Sequence, residues 1–127
     1  TIESFYEANI ALTQKQPPFN LYDEANPIAT LHSYLPGTRF FNTAVADSII
    51  CEGSHIEADN ITNSIIGQRT VIKKGTTVEA SYIMGNDFYH LPHKDSHGLP
   101  DKLVIEENCT IKRAIIDKNV FIGKGAK

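Results

Sequence analysis

The chain is short of three things: cysteine, long apolar runs and net positive charge. Its 127 residues include only two cysteines, Cys51 and Cys109, which are too few for a disulfide-stapled scaffold. No apolar run approaches the roughly 18 residues that a membrane-spanning helix needs, and no signal peptide opens the sequence. With 12 basic against 15 acidic side chains, the charge balance argues against a dedicated nucleic-acid binder. We therefore expect a cytoplasmic protein that contacts neither membrane nor nucleic acid.

The first 42 residues predict a helix and then an irregular linker. The stretch "TIESFYEANIALTQKQ" places apolar residues on one helical face, Thr1 is a candidate N-cap, and the prolines at 17 and 18 end the helix by Gln16. Turn signals interrupt residues 17–42. We expect this segment to pack down on the rest of the chain and to cover its first repeat. The side chains expected to anchor it are Phe19, Tyr22, Tyr34 and Leu35.

Aliphatic residues then recur every six positions, with occasional fives, which is neither the period of a strand nor that of a helix. The recurring positions are Val45, Ile50, Ile56, Ile61, Ile66, Ile72, Val78, Ile83, Ile105, Ile111, Ile116 and Ile122. A longer period lies above this one, because Ser48, Ser64 and Ser81 are spaced by 16 and 17 residues. Ala114 lies 33 residues beyond Ser81, about two such intervals.

Three hexapeptides per interval predict a chain wound around a triangular prism, with one short strand on each face and the aliphatic side chain pointing inward. The fold class predicted is all-β, a left-handed parallel β-helix of about four coils, with the handedness taken from the hexapeptide signature. Residues 1–42 form the helix and linker, and residues 43–127 form the β-helix with an inserted loop at 85–103. A sandwich of ordinary strands is the alternative, but its strands would be longer and would alternate.

The insertion carries His90, His93 and His97. Three imidazoles and a water can hold a catalytic zinc ion, and a single histidine can act as a general base in a hexapeptide acyltransferase that uses acetyl-CoA. The spacing lies among prolines and glycines, so a structural or interface loop is the preferred interpretation. No metal site is expected in this chain.

The last 16 residues, "KRAIIDKNVFIGKGAK", carry five basic side chains against one carboxylate, Asp117. An ordinary solvated face explains this composition. The alternative is a site for a small phosphorylated ligand, with Lys112 and Lys118 supplying point charges and Arg113 a bidentate fork. No glycine-rich phosphate loop and no nucleophile with recognisable context accompanies them.

Several stretches together resemble one enzyme family. "TIESFYEANIAL", "FNLYDEANPIAT", "DSIICEGSHI", "NSIIGQRTVI" and above all "IEENCTIKRAIIDKNVFIG" resemble the C-terminal region of glucose-1-phosphate adenylyltransferase (ADP-glucose pyrophosphorylase). The resemblance covers nearly the whole chain, and "KRAIIDKN" is its most specific part.

The resemblance implies a parent enzyme that joins ATP and glucose-1-phosphate to give ADP-glucose and diphosphate for glycogen or starch synthesis. Catalysis and the required Mg²⁺ would belong to an N-terminal domain upstream of Thr1, so this fragment is expected to lack catalysis. Within the family the β-helix supports a homo-tetramer and a site for phosphorylated effectors, near positions that Asp117 and Lys118 match. A catalytically inert scaffold related to these enzymes is the remaining alternative.

Overall fold

The computed structural model describes residues 1–30, 33–90 and 102–127. One helix, α1, covers Ile2–Ala11, and eleven short strands follow it in the described residues. The strands are β1 (Arg39–Phe40), β2 (Ala44–Ala46), β3 (Ile49–Ile50), β4 (His55–Ile56), β5 (Asn60–Thr62), β6 (Ile65–Ile66), β7 (Val71–Ile72), β8 (Thr77–Glu79), β9 (Tyr82–Ile83), β10 (Thr110–Lys112) and β11 (Ile115–Ile116). Within the described residues, no helix is both long enough and apolar enough to cross a membrane.

These strands form three parallel sheets, which are the three faces of a prism. Face A contains β1, β4 and β7, face B contains β2, β5, β8 and β10, and face C contains β3, β6, β9 and β11. Isolated parallel bridges continue face A from Ile72 to Ile105 and from Ile105 to Ile122. The chain visits the faces in the order A, B, C, so four coils are complete and Ile122 starts another. The predicted parallel β-helix of about four coils is confirmed.

The recurring aliphatic residues point into the prism and stack in columns. Register pairs such as Val45 with Ile61 and Ile50 with Ile66 place each side chain directly above its counterpart in the next coil. In the middle coils these side chains are fully buried and form one continuous core. A strand of two or three residues is enough, because each face needs only one inward residue before the chain turns.

Hydroxyl groups tie the coils together at the corners. Between faces B and C, the Ser64 hydroxyl donates to the Thr62 carbonyl at 2.8 Å and accepts the Ser81 amide at 3.1 Å. One coil earlier, the Ser48 hydroxyl accepts the Ser64 amide in the same way. Ala114 ends this ladder, although its amide still donates to the Ser81 hydroxyl at 3.2 Å. The repeating serines are therefore hydrogen-bonding groups of the corner that satisfy backbone groups inside the fold.

The interval of 33 residues is a single turn of the prism. Tyr82 pairs with Ile115, so Ser81 and Ala114 lie in adjacent coils. The insertion after β9, predicted as a loop at 85–103, adds the length of a coil without adding a coil, which makes this interval about twice as long as the others.

The N-terminal helix packs on face C. Thr1 caps it by accepting the Ser4 amide at 3.1 Å, as predicted, and the helix ends at Ala11, earlier than the proline limit at Gln16. The Tyr6 hydroxyl donates to the Ala80 carbonyl at 2.5 Å, and the Phe5 ring meets the Tyr82 ring at 5.4 Å between centroids. Helix α1 therefore covers part of one face and leaves the ends of the prism open.

The linker packs less than predicted. Phe19, Tyr22 and Tyr34 are exposed and Leu35 is half-buried, so Phe19 and Tyr22 do not anchor the linker as predicted. Side chains of the linker satisfy its own backbone instead, as where the Asn20 carbonyl oxygen accepts the Tyr22 amide at 2.9 Å. The first β-helix strand, β1, also lies within the residues predicted as linker.

Candidate functional site

The predicted site residue Lys118 lies at the corner where the chain passes from face C to face A. We call this the Lys118 corner and define it by five residues: Arg69, Asn86, Asp87, Lys118 and Asn119. Arg69 and Asn119 have positive φ values of 56° and 58°, the left-handed conformation that a sharp turn requires. The Asn86 amide donates to the Arg69 carbonyl at 2.9 Å, which fixes the start of the insertion to the preceding coil.

A carboxylate already occupies this corner. Lys118 Nζ lies 3.1 Å from Asp87 Oδ1, and the Asn119 amide donates to Asp87 Oδ2 at 3.1 Å. The Asp87 backbone amide in turn donates to Asn119 Oδ1 at 2.9 Å. Hydrogen bonds from Lys118 and then Asn119 lower the pKa of the Asp87 carboxyl. The corner therefore holds an anionic group by donors that a phosphate would also use.

Asp117 and Lys118 are adjacent in space, but Asp117 faces its own backbone. Its Oδ1 accepts the Lys118 amide at 2.7 Å, a local turn interaction. Asp117 therefore stabilises the turn at this corner, and Lys118 is the residue whose charged group binds an anion.

Lys112 and Arg113 lie elsewhere. Lys112 is the last residue of β10 on face B and forms an ion pair with Glu79 at 3.5 Å. Arg113 has φ 48° at the corner between faces B and C, and its amide donates to the Glu79 carbonyl at 3.0 Å. Five residues of extended chain, roughly 15 Å, separate this corner from Lys118. The structure thus does not bring the four predicted residues into one site.

Asp87 and Asn119 are the functional candidates that the sequence interpretation missed. Asp87 is 31 residues from Lys118 along the chain, and only the parallel stacking of coils brings them together. One signal was present, since Asn119 follows the aliphatic strand residues at a corner position, where asparagine tolerates the left-handed conformation.

A second concave region lies on face A, next to the described ends of the insertion. This face A cavity has a volume of about 460 Å³. Nine residues line it: His55, Val71, Lys73, Tyr89, His90, Lys102, Leu103, Val104 and Glu106.

The described ends of the insertion, residues 85–90 and 102–103, are fixed to the prism beside this cavity. His90 and Lys102 form an antiparallel bridge, and the Tyr89 hydroxyl donates to the Gly53 carbonyl at 2.6 Å. Gly53 has φ +76°, and a Cβ there would lie 3.0 Å from both the Tyr89 hydroxyl and a Leu35 methyl. Only glycine allows this close approach without strain.

Of the three insertion histidines, only His90 can be assessed, since His93 and His97 lie outside the described residues. His55 pairs with Glu57 at 3.0 Å, and this hydrogen bond is the main cause that lowers the pKa of Glu57. Among residues 1–30, 33–90 and 102–127, no group of three histidine, cysteine or acidic side chains could hold a metal ion. The zinc interpretation also needs His93 and His97, so it stays an alternative that falls outside the described residues.

Comparison with known protein families gives a match over most of the chain. A family model described as the GLGC left-handed parallel β-helix domain matches residues 33–127. The matched range contains the eleven strands of the described residues, the Lys118 corner and the face A cavity. The matching family is described as left-handed, which agrees with the handedness taken from the hexapeptides.

Proposed function

The chain belongs to the GLGC left-handed parallel β-helix domain family, and from that membership we propose that it is the regulatory and oligomerisation domain of a glucose-1-phosphate adenylyltransferase. The parent enzyme would form ADP-glucose and diphosphate from ATP and glucose-1-phosphate, as a step toward glycogen or starch. Its chemistry and its Mg²⁺ would belong to a separate nucleotidyltransferase domain. The family match over residues 33–127 is the observation that carries this proposal.

Two features of the structure support the two halves of this role. For regulation, the Lys118 corner presents a lysine and an asparagine amide that already hold a carboxylate. A phosphorylated effector would replace the Asp87 carboxylate there, and the exchange would release the start of the insertion from the last coil. Binding would then be communicated through the loop that Asp87 belongs to.

For association, the first coil leaves apolar side chains uncovered. Phe40 and Val45 occupy inward-facing columns above Ile56 and Ile61, yet they are 45% and 41% exposed. The unpaired backbone edges of β1, β2 and β3 surround them. Covering this end with another copy of the domain would remove apolar surface and strand edges from water together, which favours a homo-oligomer.

The regulatory half is tested by Lys118→Ala in the complete enzyme, with Lys112→Ala as the matched control. Lys118→Ala should raise the activator concentration needed for half-maximal activation by about tenfold, since one charge-assisted contact contributes about 1.5–3 kcal/mol. Turnover without activator should stay nearly unchanged. Lys112→Ala should change neither value, because Lys112 lies on face B. Equal effects of both variants, or equal loss of activated and unactivated turnover, would contradict the regulatory assignment.

The oligomerisation half is tested by sedimentation of the chain over a range of concentrations. The wild-type chain is expected to associate, and Phe40→Ser should shift it toward the monomer. Phe88→Ser is the control, because Phe88 is similarly exposed at 48% but belongs to the insertion. A wild-type chain that remains monomeric at high concentration would rule out association through this end.

A further inference from the structure

Helix α1 lies on face C, and the outer surface of face A carries two columns of side chains. On each strand of face A one residue points inward, so the residues before and after it point outward. The strand register stacks these outward residues from coil to coil. One column contains Arg39, His55, Val71, Val104 and Phe121, and the other contains Phe41, Glu57, Lys73 and Glu106.

The charged side chains of the second column alternate in sign. Lys73 lies one coil after Glu57 and one coil before Glu106, in continuation of the strand register of face A. A hydrogen bond from His55 lowers the pKa of the Glu57 carboxyl, and the charge of Lys73 lowers it further. With Lys102, which also lines the face A cavity, two ammonium groups stand beside two carboxylates. These groups supply hydrogen-bond donors and acceptors in balance, and this balance suits a neutral ligand rich in hydroxyl groups.

Exposed aromatic rings surround the cavity at both ends of face A and at one side. Phe41 lies at the first-coil end, with its ring centroid 4.8 Å from that of His55, and Phe121 lies one coil beyond Val104. Tyr89 lines the cavity itself. The three aromatic residues are 39%, 37% and 41% exposed. Each ring therefore offers apolar area to a ligand that lies along face A.

The cavity between these rings has a fixed wall and an apolar floor. The Tyr89 hydroxyl donates to the Gly53 carbonyl at 2.6 Å, which holds the ring in place. Leu103 and Val104 are 2% and 4% exposed, and Val71 completes the floor. A sugar ring has apolar C–H faces and a rim of hydroxyl groups, so this combination of surfaces matches it on both counts.

We propose that face A is a binding site for a neutral oligosaccharide of hexose units. One unit occupies the face A cavity, with a C–H face against the Tyr89 ring and the Val71–Leu103–Val104 floor. Its hydroxyl groups donate to the Glu106 carboxylate and accept from the Lys73 ammonium group. The cavity volume of about 460 Å³ lies within the range of small-molecule sites.

Neighbouring units of the oligosaccharide extend along the prism axis, toward Phe41 in one direction and Phe121 in the other. Stacked repeats present their outward residues in a line, which is how solenoid proteins form elongated binding surfaces. This inference goes beyond the proposed function and does not rest on it. The site shares no residue with the Lys118 corner, and its ligand carries no charge.

NMR titration of the chain with maltoheptaose, and separately with cellohexaose, tests the proposal. The two probes contain the same hexose in a curved and in an extended chain, so the tighter probe shows which shape fits face A. At least one of them should shift the ring signals of His55 and His90 with a single half-saturation concentration. Raising the salt concentration should leave that concentration unchanged, because a neutral ligand gains nothing from unscreened charge.

Variants of the aromatic rings test where the oligosaccharide lies. Tyr89→Ala should weaken binding by about five- to tenfold through loss of the ring contact. Tyr89→Phe loses the hydroxyl but keeps the ring, and should retain affinity within about twofold. Phe121→Ala repeats the test at the far end of face A. Phe88→Ala is the matched control, because Phe88 is 48% exposed and does not line the cavity.

The same titrations contain the results that would overturn the proposal. Absence of shifts with both probes at millimolar concentration would do so, and so would equal weakening by Phe88→Ala and Tyr89→Ala. Lys73→Gln keeps a hydrogen-bond donor and should change affinity by no more than about threefold. A loss of tenfold or more in Lys73→Gln would mean that charge holds the ligand. If neither probe binds but Tyr89→Ala alters sedimentation of the chain, face A is an interface between copies instead.

Discussion

The first and second coils of this prism carry the same pattern of residues but differ completely in burial. Phe40 and Val45 of the first coil are 45% and 41% exposed, whereas Ile56 and Ile61, their register partners in the second coil, are fully buried. The pattern places a side chain inside the prism. Burial additionally requires a coil on each side.

This difference separates two contributions to the fold. In the second and third coils, an aliphatic residue is enclosed by its own column and by the two other faces, so its removal leaves a cavity. In the first coil, the same kind of residue is partly open to water, and its removal leaves little empty space. The first coil therefore keeps apolar surface for an interaction that the second coil has already made internally.

The largest expected effect on the free energy of unfolding comes from shortening an inward isoleucine, and it should differ between the second coil and the first. Ile66→Ala should lower the free energy of unfolding by about 3–4 kcal/mol, since Ile66 is fully buried and its site is enclosed on all sides. Ile50→Ala removes the same atoms one coil away, where the side chain is only half-buried, and should cost about half as much. Denaturant unfolding of both variants measures the difference.

Self-association changes this expectation in a defined way. If another copy covers the first coil, the cost of Ile50→Ala should rise with protein concentration while that of Ile66→Ala stays constant. Equal costs at every concentration would show that the first coil is as well enclosed as the second, which would contradict its role as an open end.

Much of this fold was accessible from the sequence because a β-helix is built from local repeats. The six-residue spacing alone identified the inward residues, and a strand in each coil pairs with the strand that follows one period later. The interval from Ser81 to Ala114 is about twice as long as the others because an insertion of about one coil in length lies within it. The loss of the aliphatic spacing between Ile83 and Ile105 is what marked this stretch as a loop.

The candidate sites were less accessible, since each joins residues from different coils. Lys112 and Lys118 are close in sequence, but a corner and a whole face separate them in the prism. Asp87 and Lys118 are far apart in sequence and form an ion pair at 3.1 Å. In the face A cavity, likewise, Lys73 and Lys102 line one concavity because the chain returns to face A at Leu103, next to the strand that contains Val71.

An intermediate effect is expected for the hydroxyl ladder at the corner between faces B and C. Ser64 is fully buried, and Ser64→Ala would leave the buried Ser81 amide and the Thr62 carbonyl without their side-chain partner. We expect a loss of about 1–2 kcal/mol. Ser48→Ala makes the same change in the first coil, where the hydroxyl is half-buried and water can replace it, and should cost less than about 1 kcal/mol.

Hydrogen exchange of single amides reports this difference directly. Ser64→Ala should speed exchange of the Ser81 amide, and Ser48→Ala should affect the Ser64 amide to a smaller degree. If both variants lose the same free energy of unfolding, water reaches the two serine positions equally little. The difference in burial between the coils would then not extend to their polar groups.

The smallest expected effect is a change in the pH dependence of stability, and it concerns the Lys118 corner. The pKa of Asp87 is lowered from its ordinary value of 3.8 by hydrogen bonds from Lys118 and Asn119. The unfolded chain therefore takes up this proton first as pH falls, so the stabilisation is present above about pH 4 and is lost below it.

Asp87→Asn should remove part of the fall in Tm between pH 5.5 and pH 3, because the amide has no proton to take up. Glu24→Gln, a linker carboxylate without an ion pair among the described residues, should keep the wild-type fall. An unchanged pH dependence in Asp87→Asn would mean that Lys118 is not engaged by Asp87 in solution.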